Sequence, residues 1–400
     1  MTKRILFMTV GTGVGDSEDR VRSLAHGLLS SIHYNRPDRV IFFGSDKSRK
    51  TVEYISEEAE REGKDLPEYE FIEVNDIDRV DEWFSSIDQQ MKKYSDDEII
   101  VDYTSGTKTM TSIAFIMAVL YEKELSVISG FRDKNGTVQS GTETMIKQNV
   151  YQIYDKLRIR RFRELFNLGR FKTALDVLNE IVQHERKDAY IKLTEAYLHW
   201  DLFNHERAME CLESEEVKEL EELEDVLKRN KKILGPIVSS RNGRRKFRYR
   251  PFLPDLFANS KRRASEGRYD DAAARLYRAL ELIAQIVIEE KYGDETDSLN
   301  PENYSLSTRS TLKLGAKNQV ALKNAYRLLE CEGHEIGKIF KEDKEIMDLL
   351  KIRNYSIMAH GLDSVTEDDY LRFYERVLGY ARVIDDKIDS KIEDATFPEL

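Results

Sequence analysis

The sequence predicts an α/β domain followed by an all-α region, and the α/β domain is predicted to be Rossmann-like. Two observations lead to this fold class. The first ~150 residues alternate short apolar runs with longer segments of helical periodicity, which is typical of a parallel sheet. Apolar runs separated by helices indicate strands that are covered on both faces. From about residue 151 onwards, the whole sequence has helical periodicity instead.

Five strands and four helices are predicted in the first region. The strands are 5–10, 40–43, 69–74, 98–102 and 125–129. The helices are predicted over about 17–35, 47–62 and 77–93, with a fourth that follows residue 108 and ends near residue 122. The turn sequence at 133–136 predicts a hairpin after the fifth strand.

The helical region contains a weak repeat with a period of 34 residues, which is typical of tetratricopeptide-type helical hairpins. Its matching triplets are Ala174, Val177, Leu178 and Ala208, Cys211, Leu212. Because fewer than three copies are visible, we predict a connector rather than a solenoid. Breaks are expected at Gly235–Pro236 and at 251–254. The predicted domains are therefore 1–150, a tetratricopeptide-like connector over 151–235, and a helical domain over 236–400.

Composition narrows the possible functions. The net charge of −11 excludes a bulk nucleic-acid binder, so any contact with RNA must be local. Cys211 and Cys331 match no zinc-ligand spacing, and no metal site is predicted; reduced thiols in the cytoplasm are expected. The longest apolar run, 113–121, is too short to span a bilayer, and no signal peptide is visible.

Three predicted strand ends carry small, hydrogen-bonding residues, and ligands of open parallel sheets bind beyond such ends. The candidate ligand-binding residues are Gly11, Thr12, Gly13, Gly44, Ser45, Thr104, Ser105, Gly106, Thr107 and Lys108. The last five open a helix, whose N-terminus favours phosphate. The alternative is a helix cap with a tight turn. Neither a dinucleotide fingerprint nor a P-loop is present, so neither a standard NAD nor an ATP pocket is expected.

Arg353 and His360 lie seven residues apart in a stretch that is predicted to be helical, so both side chains would face the same way. Gly361 is predicted to end this helix as its C′ residue. An arginine holds phosphate oxygens and a histidine exchanges protons near neutral pH, so the pair suits phosphodiester cleavage. Asn354 is the third candidate catalytic residue. The alternative is a structural histidine at a helix end.

Two other basic segments allow two interpretations each. Residues 241–250 read RNGRRKFRYR, which suits guidance of RNA with aromatic stacking, or a solvated linker that pairs with the acidic run 213–225. Residues 267–281 are expected to form a long helix. Its Arg275 and Arg278 either approach the catalytic groove or form surface ion pairs with residues such as Glu281.

Three segments together resemble the accessory ribonucleases of type III CRISPR systems, which join a CARF domain to a HEPN domain. They are MTVGTG from Met8, DYTSGTKTM from Asp102 and RNYSIMAHG from Arg353, and they occur in the same order as in that family. The HEPN motif is an arginine, four to six residues and a histidine, with a frequent asparagine at the position of Asn354. The resemblance implies a receptor for cyclic oligoadenylate that activates a metal-independent endoribonuclease. The 34-residue repeat is not a general feature of the family.

The chemistry implied by the resemblance agrees with the residues, since RNA carries its own nucleophile in the 2′-hydroxyl. Acid–base catalysis of this kind needs two proton-transfer groups, and one Arg–His pair supplies only one. A homodimer with a composite site is therefore predicted. The expected partners are single-stranded RNA and an activator, cyclic tetra-adenylate first and cyclic hexa-adenylate second, with no other cofactor and no membrane.

Three alternative functions stay open. The chain could be a non-catalytic sensor of cyclic nucleotides. Its CARF domain could also cleave its own ligand as a ring nuclease, with Ser105, Thr107 and Lys108 positioning a 2′-hydroxyl. Finally, the helical domain could be the toxin half of a nucleotide-transfer system.

Overall fold

The computed structural model describes residues 2–13, 18–131, 138, 141–148, 150–243 and 247–400, without the side chain of Tyr151. Two compact units are present, Met1–Leu157 and Arg158–Leu400. The hairpin turn predicted at 133–136 lies outside the described residues.

The described residues of the first unit form six strands and four complete helices. The strands are β1 Arg4–Val10, β2 Arg39–Gly44, β3 Glu68–Glu73, β4 Glu98–Asp102, β5 Glu124–Ser129 and β6 Thr144–Gln148. The helices are α1 Glu18–Asn35, α2 Arg49–Arg61, α3 Val80–Lys93 and α4 Lys108–Leu120, and a 3₁₀ turn, Asp46–Ser48, precedes α2. The five predicted strands all form, and their boundaries shift by one residue at most.

The strands form one sheet in the order β3-β2-β1-β4-β5-β6. All neighbours are parallel except β6, which runs antiparallel to β5. Successive residues of β1 point to opposite faces: Phe7 packs in a core with Trp83 and Met117, and Met8 packs in another with Leu28 and Ile55. The sheet is thus covered on both faces, and the predicted Rossmann-like fold class is confirmed.

A buried carboxyl at the end of β4 ties the sheet to α1. Asp102 is 0% exposed; it accepts hydrogen bonds from the Ser31 hydroxyl and, at 2.8 Å, from the Thr104 N–H. The Asn35 amide donates to the hydroxyls of Ser31 and Ser126, at 3.2 Å each. Burial raises the pKa of Asp102. This network fixes the start of the loop that follows β4.

The second unit is helical throughout, and α5 begins in the first unit and ends in the second. The helices are α5 Tyr151–Asn167, α6 Phe171–Asn179, α7 Lys187–Asp201, α8 His205–Leu212, α9 Glu215–Lys218, α10 Glu224–Arg241, α11 Phe252–Ser265, α12 Tyr269–Tyr292, α13 Leu306–Leu312, α14 Leu322–Cys331, α15 Glu335–Glu342, α16 Lys344–Tyr355, α17 Glu367–Ile384 and α18 Ile388–Asp394. Within the described part of the chain, no helix has the length and apolar character to cross a membrane.

The repeat found in the sequence corresponds to equivalent packing positions in α6 and α8. Ala174 and Leu178 of α6 and Ala208 and Leu212 of α8 are all 0% exposed and share one core. This agrees with a pair of helical hairpins.

The prediction of a chain break at Gly235–Pro236 is wrong, because α10 continues through both residues. Ile233, Leu234 and Ile237 bury their side chains in the connector core, and this packing holds the helix together around Pro236. α10 ends at Arg241 and α11 begins at Phe252, next to the second position that the sequence indicated.

A buried polar cluster joins the connector helices to α11. Asp255 accepts a hydrogen bond from the Trp200 indole at 2.8 Å and contacts the imidazole of His205 at 2.7 Å. Arg262 and Arg263 of α11 pair with Asp201 at the end of α7. The 24-residue α12 then packs on α11, α14, α16 and α17, and forms the centre of the C-terminal core.

Gly337→Ala and Gly379→Ala are expected to change stability in opposite directions, although both glycines lie inside helices. A Cβ at Gly337 would lie 2.2 Å from the Glu330 backbone nitrogen, so α15 must shift away from α14 at a cost of about 1–3 kcal/mol. A Cβ at Gly379 meets nothing within 4 Å, so alanine should stabilise α17 by about 0.5–1 kcal/mol. Urea denaturation measures both; equal effects would contradict the packing described.

Asp102→Asn should make the free energy of unfolding less sensitive to pH. The folded-state pKa of Asp102 is raised by burial, so its contribution to stability is present below the unfolded value near 4. That contribution is lost as the pH rises through the folded pKa, by at most about 1.4 kcal/mol per pH unit. The wild type should therefore lose stability relative to Asp102→Asn with rising pH. A difference between the two that is constant from pH 4 to 9 in urea denaturation would contradict this.

Candidate functional site

The first candidate site is a cavity of about 340 Å³ at the carboxyl ends of β1 and β4. These strands are neighbours at the point where the strand order reverses, and open α/β sheets bind ligands in that crevice. Seven of the predicted ligand-binding residues line it: Gly11, Thr12, Gly13, Thr104, Ser105, Gly106 and Thr107.

Hydrogen bonds between hydroxyl groups and the backbone hold the two strand-end loops against each other. The Gly11 N–H donates to the Ser105 hydroxyl at 3.0 Å, and the Thr9 hydroxyl donates to the Ser105 carbonyl. A Cβ at Gly11 would lie 3.0 Å from the Gly106 Cα, so a larger residue would push the loops apart. The Ser105 hydroxyl therefore has a structural role within the cavity wall.

The loop after β4 is both a cavity wall and a helix cap. Thr107 is the N-cap of α4 and its hydroxyl accepts from the Met110 N–H at 3.3 Å. The Thr104 hydroxyl accepts from the Ile128 N–H at 2.9 Å, which ties the loop to β5. The sequence allowed this segment to be either a ligand-binding loop or a helix cap, and these two interpretations are compatible.

Gly44, Ser45 and Lys108 do not line the cavity. A Cβ at Gly44 would lie 2.9 Å from the Val10 carbonyl oxygen, and the Ser45 hydroxyl lies 3.2 Å from that of Ser48, in the turn that starts α2. β2 lies on the side of β1 away from β4, so its loop is outside the crevice. Lys108 is exposed at the first residue of α4.

Seven lining residues were missed by sequence reasoning. Four of them, Arg20, Ser23, Leu24 and Gly27, lie on α1 at the spacing i, i+3, i+4 and i+7, so one face of the helix borders the cavity. That spacing is a signal that sequence analysis could have used. The other three, Ile128, Val138 and Glu143, come from β5 and the chain that leads into β6. No motif marks them.

His26 has carboxylate neighbours that its sequence surroundings do not reveal. His26, Glu58 and Glu62 place ligand-type atoms within 4.8 Å of one another. Glu58 also pairs with Arg61, and Glu62 with Lys64 at 2.7 Å. Cations of the chain thus already balance both carboxylates.

The second candidate site contains Arg353 and His360, and its local structure differs from the predicted helix. α16 ends at Tyr355, and His360 lies in a tight turn after it. The Ile357 N–H donates to the Asp363 carbonyl at 2.8 Å, and the Asp363 N–H to the Tyr355 carbonyl at 3.2 Å. These bonds replace the helical ones, so the prediction that Arg353 and His360 share one helix is wrong.

Gly361 shapes this turn, although not as the C′ residue that was predicted. A Cβ at Gly361 would lie 1.7 Å from the Tyr355 carbonyl oxygen, so only glycine allows the chain to fold back onto the end of α16. The His360 N–H then donates to the Asn354 carbonyl at 3.2 Å. This bond returns the backbone at His360, an exposed residue, to the last turn of the helix that carries Arg353.

The Arg353 guanidinium is held by an aromatic ring and an amide. Its carbon lies 4.0 Å from the centroid of the Tyr277 ring of α12, and its Nη1 donates to the Asn354 Oδ1 at 3.1 Å. Burial raises the pKa of Tyr277 and of Glu281, one turn further along α12. Asn354 and Tyr277 therefore orient the cation.

Of the two interpretations of the α12 arginines, ion pairing is confirmed, because Arg278 pairs with Glu281 at 3.8 Å and Arg275 with Asp271 at 3.3 Å. Arg275 donates to Asn259 at 2.6 Å and to the Asp271 carbonyl at 2.7 Å, and Arg278 donates to Gln285 at 2.8 Å. Tyr277, which no sequence motif marked, is the residue of this helix that contacts Arg353.

The turn that holds His360 is surrounded by exposed apolar side chains. The exposed fractions are Tyr355 65%, Ile357 60%, Met358 56% and Leu362 88%. Four large apolar residues exposed within eight positions form a patch of the kind that marks interaction sites.

The basic segment 241–250 is largely engaged within the second unit. Arg248 pairs with Glu295, and Arg250 pairs with Glu290 at 2.6 Å. The Tyr249 N–H donates to Glu289 at 3.2 Å. These acidic partners belong to the end of α12 and the loop after it, and not to the run 213–225. Residues 244–246 lie outside the described part of the chain.

Comparison with known proteins identifies the helical region. The Csm6 HEPN domain matches residues 241–384, and the Csm6 6H domain matches residues 154–234. No curated protein sequence matches the chain.

Two solved structures are similar to this chain. Enterococcus italicus Csm6 bound to cyclic hexa-2'-fluoro-hexa-dAMP has 14% identity and a TM-score of 0.63 over 98% of both chains. Can2 from Sulfobacillus thermosulfidooxidans in complex with cyclic tetra-adenylate has 10% identity and a TM-score of 0.26 over 50% of this chain and 67% of that chain, which is too low to carry an argument. The two Csm6 domain matches together span more than half of the sequence, and the fold agrees with Csm6 along the chain. The chain belongs to the CARF–HEPN family of type III CRISPR-associated accessory proteins.

Proposed function

We propose that this chain is an endoribonuclease in type III CRISPR antiviral defence, switched on by cyclic oligoadenylate. The observation that carries the proposal is the turn at Gly361, which bonds the backbone of the exposed His360 to Asn354, next to the Arg353 that Tyr277 orients. Family membership supports the assignment to the HEPN region.

The chemistry proceeds without a metal ion in this proposal. The RNA 2′-hydroxyl attacks the adjacent phosphorus to form a 2′,3′-cyclic phosphate, and the bond to the 5′-oxygen of the next nucleotide breaks. The His360 imidazole accepts the proton of the 2′-hydroxyl or donates one to the leaving 5′-oxygen. The guanidinium of Arg353 stabilises the extra negative charge on the phosphate oxygens. Because the Tyr277 ring and the Asn354 amide carry no full charge, they orient the guanidinium without neutralising it.

A homodimer supplies the second acid–base group. Each chain brings one Arg353–His360 pair, and a two-fold interface repeats the same patch on both subunits. The exposed apolar residues around His360 fit a surface that a second copy covers. We therefore assign the composite site to two copies of the turn that contains Gly361.

The ligand site also fits two copies. A cavity of about 340 Å³ is at the small end of the range of about 300–1,000 Å³ for ligand pockets, so one chain accommodates part of a cyclic oligonucleotide. α4 starts at the cavity loop and exposes Ile116 and Leu120, 49% and 60% respectively, one turn apart on its outer face. A second copy packed along this stripe would complete the site.

Cyclic hexa-adenylate is the first candidate for the activator, with cyclic tetra-adenylate second. The ligand named for the Enterococcus italicus protein supports the larger ring, which reverses the order expected from sequence. We also propose that the domains are 1–150, a connector, and a HEPN domain, with the second boundary between the end of α10 at Arg241 and the start of α11 at Phe252 rather than at 235.

His360→Ala and Arg353→Ala should each lower RNA cleavage at least about 100-fold, because general acid–base catalysis and charge stabilisation contribute on this scale. The assay is cleavage of a labelled single-stranded RNA with activator present, without added divalent metal and with a chelator. Arg372→Ala is the control, since Arg372 makes a surface ion pair with Glu345. Full activity in His360→Ala would refute the site, and products without a cyclic phosphate would refute the mechanism.

Arg20→Ala should weaken activation about tenfold or more, whereas Lys108→Ala should change it by less than about threefold. Both cations are near the loop after β4, but Arg20 lines the cavity and Lys108 does not. A charge-assisted hydrogen bond to phosphate accounts for a tenfold effect. The measurement is the concentration of cyclic hexa- or tetra-adenylate that gives half-maximal RNA cleavage. Failure of either ring to stimulate the wild type would refute the proposed activation.

A further inference from the structure

Glu143 places a carboxylate in a cavity whose other features suit an anion. Its side chain is 9% exposed, and it lines the same wall as Arg20 and the glycine-rich loops. A carboxylate opposite a phosphate would repel it, so a bound nucleotide must turn a different part of itself towards Glu143. Two parts of a nucleotide donate hydrogen bonds to a carboxylate, the ribose 2′-hydroxyl and the amino-bearing edge of a base, and the apolar residues that line this cavity favour the base.

The antiparallel strand explains why this residue reaches the cavity. Ser129, at the carboxyl end of β5, pairs with Thr144, the first residue of β6. The residue that precedes β6 therefore lies at the ligand-binding edge of the sheet. Gly130 permits this approach, because a Cβ there would lie 2.5 Å from the Val138 Cγ1 and 2.8 Å from the Thr142 carbonyl oxygen.

Contacts on both sides hold the carboxylate in place. The Gly141 N–H donates to Oε2 at 2.6 Å, and the His26 Nε2 lies 3.8 Å from Oε1. An ionised carboxylate accepts about four hydrogen bonds in total, so these contacts leave acceptor capacity for a ligand. His26 is a positioning residue in this arrangement.

The wall beside Glu143 is apolar. Leu24, Ile128 and Val138 line the cavity. An apolar wall accepts the face of a base, and a carboxylate at its edge accepts the amino hydrogens.

We propose that Glu143 reads the exocyclic amino group of a base in the bound cyclic oligonucleotide, and so selects adenine over hypoxanthine. This inference rests on the proposed function, because it takes the ligand to be a cyclic oligoadenylate. In hypoxanthine a carbonyl oxygen replaces the amino group, and two acceptors then face each other.

The test compares the affinities of two rings of the same size, cyclic hexa-adenylate and its all-inosine counterpart, by calorimetry on the full chain. The wild type should bind the adenylate ring at least about tenfold more tightly, as expected for one lost base contact. Glu143→Gln should bring the two affinities within about threefold, because an amide both donates and accepts. Glu143→Ala should do the same by weakening adenylate binding.

Glu62→Gln is the matched control. Glu62 contacts the other nitrogen of the same imidazole, at 3.4 Å, but does not line the cavity. It should keep the wild-type preference for adenylate. An unchanged preference in both Glu143 variants, with the wild type binding and responding to adenylate, would overturn this inference alone. If the wild type binds neither ring, at either ring size, the proposed function fails as well.

Discussion

Backbone-to-backbone contact at glycine is the constraint on which both candidate sites depend. Gly361 lies against the Tyr355 carbonyl, and Gly11 lies against Gly106, at separations that leave no room for a side chain in the first case and little in the second. In the HEPN region, the helix ends at this contact and the chain forms a turn in which His360 is exposed. In the CARF region it joins two strand-end loops into one cavity wall. Each site is thus built by close main-chain packing, and its polar side chains are arranged on that frame.

The surroundings of the charged groups separate structural from functional candidates. Arg248 and Arg250 pair with carboxylates, and Arg262 and Arg263 share Asp201 inside a buried cluster. Such pairs compensate the cost of taking charge out of water and hold helices together. Arg353 rests instead on the Tyr277 ring and the Asn354 amide, which orient the cation. Glu143 is the reverse case, a carboxylate held by a backbone N–H in a cavity that suits an anion.

Sequence reasoning predicted the sheet well because buried parallel strands have a local signature. β4, at Glu98–Asp102, was found with its bounds, and the loop that follows it was recognised from its small polar residues. It failed at Pro236, where core packing of Ile233 and Ile237 outweighs the local preference of proline. It failed again at His360, because the hydrogen bonds between Ile357, Asp363 and Tyr355 are not visible in a helical periodicity.

The sequence by itself determined the order of the domains, the strand-end loops of the cavity and the identity of the Arg–His pair. Each of these features depends on residues that lie close together along the chain. Tertiary structure decided which of those loops meet. The strand order reverses between β1 and β4, so the loop after β4 borders the crevice and the loop after β2 does not. It also decided that Tyr277 orients Arg353 and that Glu143 enters the cavity. Those contacts join segments far apart along the chain, and the packing of helices and the antiparallel register of β6 bring them together, which no local pattern encodes.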